Sequence, residues 1–171
     1  MEQAPVVRAA IVVALAAFLE AVLGPYLTFG FLSPKLTLIA VVFAASQLRD
    51  LQAVLLGFFG GILLDALGSD LFGVGTLGGV LAGTLAARAG SVRHKGTERM
   101  MLAQAAGLSV AAYDVMGLTA RWLAGLGVPA LSEYAVWGLL PDAALNAVLA
   151  YLVGGWLLNV VNTKPRSRKG K

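Results

Sequence analysis

The chain has 171 residues, 58% of them hydrophobic and 21 of them glycine, with 13 basic and 9 acidic side chains, whereas a soluble domain of this length carries roughly 43 charged residues. A water-soluble fold is excluded. Since a bilayer-crossing helix takes about 20 residues, the length holds about six of them and leaves no room in this chain for an extramembrane catalytic domain. The absence of cysteine and the single histidine, His94, exclude disulfides and thiolate or imidazole metal centres.

In chain order, apolar runs at 9–32, 36–48, 51–67, 71–89, 100–126 and 139–161 predict an all-α integral membrane protein of six transmembrane helices, the second and third of them short. The first run follows a lone Arg8 as a signal peptide would, but Glu20 interrupts it and no small-residue cleavage site follows, so it reads as a span. Pro25 predicts a bend near its end, because the missing amide removes a backbone hydrogen bond. Phe31-Leu32-Ser33-Pro34-Lys35 then stops one helix and starts the next, with Pro34 suited to the first helical position and Ser33 to its N-cap.

The third and fourth spans carry small residues at steps of four: Ala53, Gly57, Gly61 and Asp65 on one, Gly75, Gly79, Gly83 and Ala87 on the other. Such rows leave grooves in which two helices meet backbone to backbone, and in lipid that close contact, rather than the hydrophobic effect, holds helices together. Gly68-Ser69-Asp70 between them predicts a left-handed stop followed by N-caps, hence a tight helical hairpin. Close packing alone accounts for any single one of these glycines. Asp65 lies on the small-residue row near the end of its span, where the positive N-terminus of the fourth span can stabilise a carboxylate. Its readings are an interfacial carboxylate in water, a buried hydrogen-bonding anchor for residues 69–73, or a partner contact.

Further intramembrane charges are Glu20, Asp114 and Asp142, with one base, Arg121. Groups at such depth normally face the bundle interior, a cavity or each other. Asp114 and Arg121 are seven residues apart, on one helical face and about 10 Å apart along the axis. The three acids also fit a proton relay. Val128 to Trp137, with Pro129, Tyr134 and Trp137, reads as an outer interfacial segment with aromatic anchors. The last span opens with Pro141 and carries Asp142 and Asn146 one turn apart.

No catalytic constellation is visible: no span contains a histidine to activate a serine, and there is neither a G-x-S-x-G elbow nor a phosphate loop. Asp65 and Asp114 fall at different depths, which argues against a facing aspartyl pair. The expectation is therefore no enzyme, no cofactor and no metal. The basic residues divide unevenly between the two sides. Arg8, Arg49, Arg88, Arg93, Lys95, Arg99 and the tail residues Lys164, Arg166, Arg168, Lys169 and Lys171 share one side, while Lys35 and Arg121 stand on the other. That bias puts both termini in the cytoplasm. The chain divides into a six-helix membrane domain over 1–162 and a basic tail over 163–171, which suits anionic lipid headgroups rather than nucleic acid.

The ordered run of Pro34, Leu36, Leu38, an arginine connection at Arg49, Gly57-Phe58, Gly61, Leu64-Asp65, Leu71, Gly73 and Leu77, with the late Pro141 and Asn146, resembles the bacterial rod shape-determining protein MreD family. The resemblance implies a non-enzymatic subunit of the lateral peptidoglycan synthesis complex, the elongasome, in the bacterial inner membrane. Such a subunit binds MreC and is linked through it to a SEDS glycosyltransferase, a class B penicillin-binding protein and MreB. It also implies a bundle resembling the S components of energy-coupling-factor transporters. The structural or partner-binding candidates are Pro34, Gly57, Phe58, Gly61, Asp65, Gly73, Gly79, Asp142 and Asn146. The alternative is the substrate-binding subunit of a vitamin-type transporter. Only Tyr26, Thr28, Asp65, Tyr134, Trp137 and Asp142 supply polar or aromatic groups near the outer face, which favours the scaffold.

Overall fold

Leu-Thr-Leu-Ile-Ala-Val-Val-Phe-Ala-Ala, residues 36–45, is apolar on every side, and a helix of that kind is stable only when covered on every side. The computed structural model, which describes residues 3–30, 32–68, 71–91, 97–129 and 134–161, places it at the centre of the molecule. The helices are α1 (Gln3–Leu27), α2 (Leu36–Ala45), α3 (Asp50–Leu67), α4 (Val74–Ser91), α5 (Glu98–Leu123) and α6 (Leu140–Val161), the last entered through a π-helical turn at Ala135–Leu139. Expectations that fall on Phe31, Ser69, Asp70, the cluster around His94, Ser132 and the tail 163–171 lie outside the described residues.

Helix α2 touches all five other helices, and Thr37 through Ala45 are all buried. It is shorter than the run 36–48 suggests: ten residues rise about 15 Å, half the hydrocarbon thickness of a bilayer. Its large side chains fit because the neighbours are bare where they meet it. A Cβ at Gly154 on α6 would strike the Phe43 ring, and one at Gly60 on α3 would lie 2.6 Å from Val41 Cγ2 and 2.9 Å from Val13 Cγ1. Helix α1 contributes a seam of Ala9, Val13 and Ala17 at steps of four and turns Ile11, Leu15, Phe18 and Val22 outward.

Among the described residues, four of the six expected spans are long and apolar enough to cross a membrane: Pro5–Leu27, Asp50–Leu67, Glu98–Leu123 and Ala135–Val161. Helix α4 has 18 residues but is rich in glycine, alanine and threonine, and α2 is short. The last span also begins earlier than Leu139. A proline inside a helix clashes with the carbonyl four residues back, and ahead of Pro141 the ladder opens to a five-residue spacing, Leu140 N–H donating to the Ala135 carbonyl. That π turn lets one helical run continue through the proline.

The expected α3–α4 hairpin is present, built backbone to backbone. A Cβ at Gly57 would fall on the Gly79 carbonyl oxygen, one at Gly61 on the Gly75 carbonyl oxygen, and one at Gly83 on the Ala53 carbonyl oxygen. The turn differs from the expectation in two respects. Gly68 is extended (φ −84°, ψ 171°) rather than left-handed, and the left-handed residue is Gly73 (φ 102°), next to the first residue of α4.

Candidate functional site

A short central helix has its N-terminus part-buried among the other helices, where its first amides need partners. The expected local solution, Pro34 at the first helical position capped by Ser33, does not occur. The helix starts at Leu36, and the cap position is held by Lys35, which makes no side-chain cap bond. An ammonium carries donors only, so it cannot accept a hydrogen bond from an amide.

The acceptors come instead from distant helices. The Ser33 N–H donates to Asp142 Oδ1 at 2.6 Å, the Lys35 N–H to Asn146 Oδ1 at 2.7 Å, and the Thr37 N–H to Glu20 Oε2 at 2.7 Å. Pro34, in the middle of this run, has no amide that needs a partner. Asn146 is used at both ends of its amide, donating from Nδ2 to the Ser33 carbonyl at 3.1 Å and to the Asp142 carbonyl at 2.9 Å. Asp142 is 1% exposed and Asn146 0%. The Asp114 side chain hydrogen-bonds that of Asp142 and the Lys35 charge acts on the same carboxyl, while Lys35 Nζ stands 4.8 Å from the centre of the Tyr113 ring. Each buried amide left unpartnered costs about 1–3 kcal/mol, and carboxylates at a helix N-terminus also meet the positive end of its dipole. Glu20 and Asp142 therefore tie α1 and α6 to the entrance of α2.

Asp65 does the same for α4. Its Oδ1 accepts from the Gly75 N–H at 2.7 Å, and its Oδ2 accepts from the Thr76 N–H at 2.9 Å and the Thr76 hydroxyl at 2.5 Å. Asp65 is thus an anchor, and the amides it holds belong to the first turn of α4. The glycine row makes this geometry accessible, since a Cβ at Gly75 would sit 2.6 Å from Asp65 Oδ1.

The candidates that the sequence singles out fall into two groups and one outlier. Pro34, Asp142 and Asn146 meet at the α2 entrance, and Gly57, Gly61, Gly79 and Asp65 meet along the α3–α4 seam, with Gly73 in the connection to α4. Phe58 belongs to neither; it is 45% exposed and lines an apolar surface groove with Phe72 and Leu77. Glu20 reads from the sequence as a charge but not as a cap, and its one signal is an acid inside an otherwise apolar run. Among the described residues, no three His, Cys, Asp or Glu side chains are grouped to hold a metal ion.

Two part-buried helix entrances, each closed by side chains from other helices, accompany the Pro34, Gly57, Gly61 and Asp65 pattern, and the family model described as rod shape-determining protein MreD matches residues 3–162. The chain belongs to the MreD family. No curated protein and no solved structure matches it. MreD is a membrane protein family with a structural role in rod shape determination, and the four long apolar helices fit that class.

Proposed function

We propose that this MreD-family chain is a non-enzymatic scaffold of the lateral peptidoglycan synthesis complex in the bacterial inner membrane, with MreC as its direct partner. Through MreC it joins a class B penicillin-binding protein and its SEDS glycosyltransferase to MreB filaments. Residues 1–162 form one membrane domain of six helices with both termini cytoplasmic, and the basic tail 163–171 lies on anionic headgroups. The observation that carries this reading is the use of the intramembrane acids. Glu20, Asp65 and Asp142 accept backbone amides at helix entrances, which makes a fixed frame for other membrane helices to pack against. A proton relay through Glu20, Asp114 and Asp142 needs acids free to exchange protons along a path, whereas Glu20 and Asp142 hold backbone amides and Asp114 hydrogen-bonds Asp142.

An affinity-tagged chain purified from its native membrane should bring down a single-span MreC-like protein, and its depletion should round rod-shaped cells. Purified protein that instead binds a vitamin with a saturable heat signal, without any single-span partner, would replace the scaffold with the transporter subunit.

A further inference from the structure

Phe58 belongs to neither helix entrance, and the groove it lines is a consequence of where α4 begins. A Cβ at Gly61 of α3 would fall on the Gly75 carbonyl oxygen, and one at Gly117 of α5 would lie 3.8 Å from Val74 Cγ1, so these glycines are level with the first turn of α4. Beyond that level α3 continues over 62–67 and α5 over 118–123, about 9 Å each at 1.5 Å per residue. Helix α4 touches both of them, and among the described residues they do not touch each other. The gap beyond the start of α4 is an apolar groove of about 750 Å³, with Phe58 and Ile62 on the α3 wall, Thr119 and Leu123 on the α5 wall, and Phe72 and Gly73 across the floor.

No side chain lining the groove carries a charge, and its two threonine hydroxyls are already donated, Thr76 to Asp65 Oδ2 and Thr119 to the Val115 carbonyl. An apolar occupant is the one that fits. Both walls belong to helices long and apolar enough to cross a membrane, which puts the groove in hydrocarbon. Its α5 wall, Val115 to Leu123, rises about 12 Å, less than half of the roughly 30 Å core. A partner's spanning helix crosses the whole core and would meet the groove over less than half its length, whereas an acyl chain keeps to one leaflet. We propose that the groove holds one acyl chain of a membrane phospholipid from the leaflet on the side of the α3–α4 connection, its headgroup end lying against the non-helical backbone of residues 71–73. The proposal stands whichever proteins the bundle joins.

The test is native mass spectrometry of the full-length protein extracted from its native membrane in mild detergent. One phospholipid per chain should survive collisions that strip the rest, without preference between phosphatidylethanolamine and phosphatidylglycerol, since no charged side chain lines the groove. A one-chain lysophospholipid should displace it, and chainless glycerophosphoethanolamine should not. Thr119→Phe, which adds a ring from an exposed position on the α5 wall, should lose the retained lipid at an unchanged melting temperature, and Leu15→Phe on the outer face of α1 should keep it. In the membrane, a phospholipid with a photoreactive acyl chain should label Phe58, Thr119 or Leu123 more heavily than Leu15 or Phe18. Full retention by Thr119→Phe, a headgroup preference, displacement by the chainless headgroup, or equal labelling of the groove and α1 would overturn the proposal. Capture of a single-span protein at the groove in place of the lipid would overturn it as well.

Discussion

Gly79→Ala adds a single methyl where α3 and α4 meet backbone to backbone. The new Cβ falls on the Gly57 carbonyl oxygen and 2.9 Å from both Cα and N of Gly61. All of these atoms are backbone, so no rotamer change relieves the clash. Restoring carbon contacts of about 3.5 Å requires the helices to part by roughly half an ångström or more, and overpacking of this kind costs about 1–3 kcal/mol. Alanine also favours helix over glycine by about 1 kcal/mol, which partly hides the clash. Gly24→Ala separates the two effects. It has the same propensity gain within α1, yet nothing lies within 4 Å of its Cβ. The difference between the variants is then the seam alone. At about 2–4 °C per kcal/mol for a chain of this size, Gly79→Ala should melt several degrees below Gly24→Ala when detergent-solubilised protein is heated and followed by size-exclusion chromatography. Gly79→Leu and Gly61→Leu should go further and lower membrane abundance. Equal melting of Gly79→Ala and Gly24→Ala would mean that these helix faces do not meet.

Asp65→Asn keeps one acceptor oxygen for Gly75 or Thr76 and should lower the melting temperature modestly, whereas Asp65→Leu leaves both amides without their partner and should cost about 2–6 kcal/mol, seen as a larger fall. A smaller loss in the leucine variant would remove the capping role. For topology, cysteines introduced at His94 or after Lys171 should resist a membrane-impermeant maleimide applied to whole cells, while cysteines at Ser69 or Ser132 should react. External labelling at position 94 would reverse the orientation derived from the charge bias.

The α3–α4 seam is legible in the sequence because it needs only local information: small residues at steps of four define a helix face whatever the rest of the chain does. The central position of α2 has a local signal too, apolar residues on every side of a run too short to span, but a run of that kind also reads as a brief membrane helix. The α2 entrance cannot be read that way. Its acceptors come from residues 109 and 111 positions away in the chain, and nothing near Ser33 announces Asp142 or Asn146. Local cap preference points to Ser33, and it fails because this part-buried entrance takes its acceptors from the helices around it. Gly68 fails for a related reason. A glycine after a helix commonly takes the left-handed stop, but here the left-handed turn comes at Gly73, immediately before Val74 and the amides that Asp65 holds.

The two capped entrances together account for the short and glycine-rich helices. A helix of ten residues cannot bring both its ends to the membrane surfaces, so at least one end must be satisfied within the protein. Three side chains from two other helices do this for α2, and one from its hairpin partner does it for α4. Because Glu20, Asp142 and Asn146 bond to backbone, the position of α2 fixes α1 relative to α6, two helices that share few direct contacts. Rigidity of this kind comes from directional bonds in a medium that offers no competing water. It leaves the outer faces of α1, α3, α5 and α6, with their exposed leucines, valines and phenylalanines, free to meet lipid or another membrane helix without disturbing the frame.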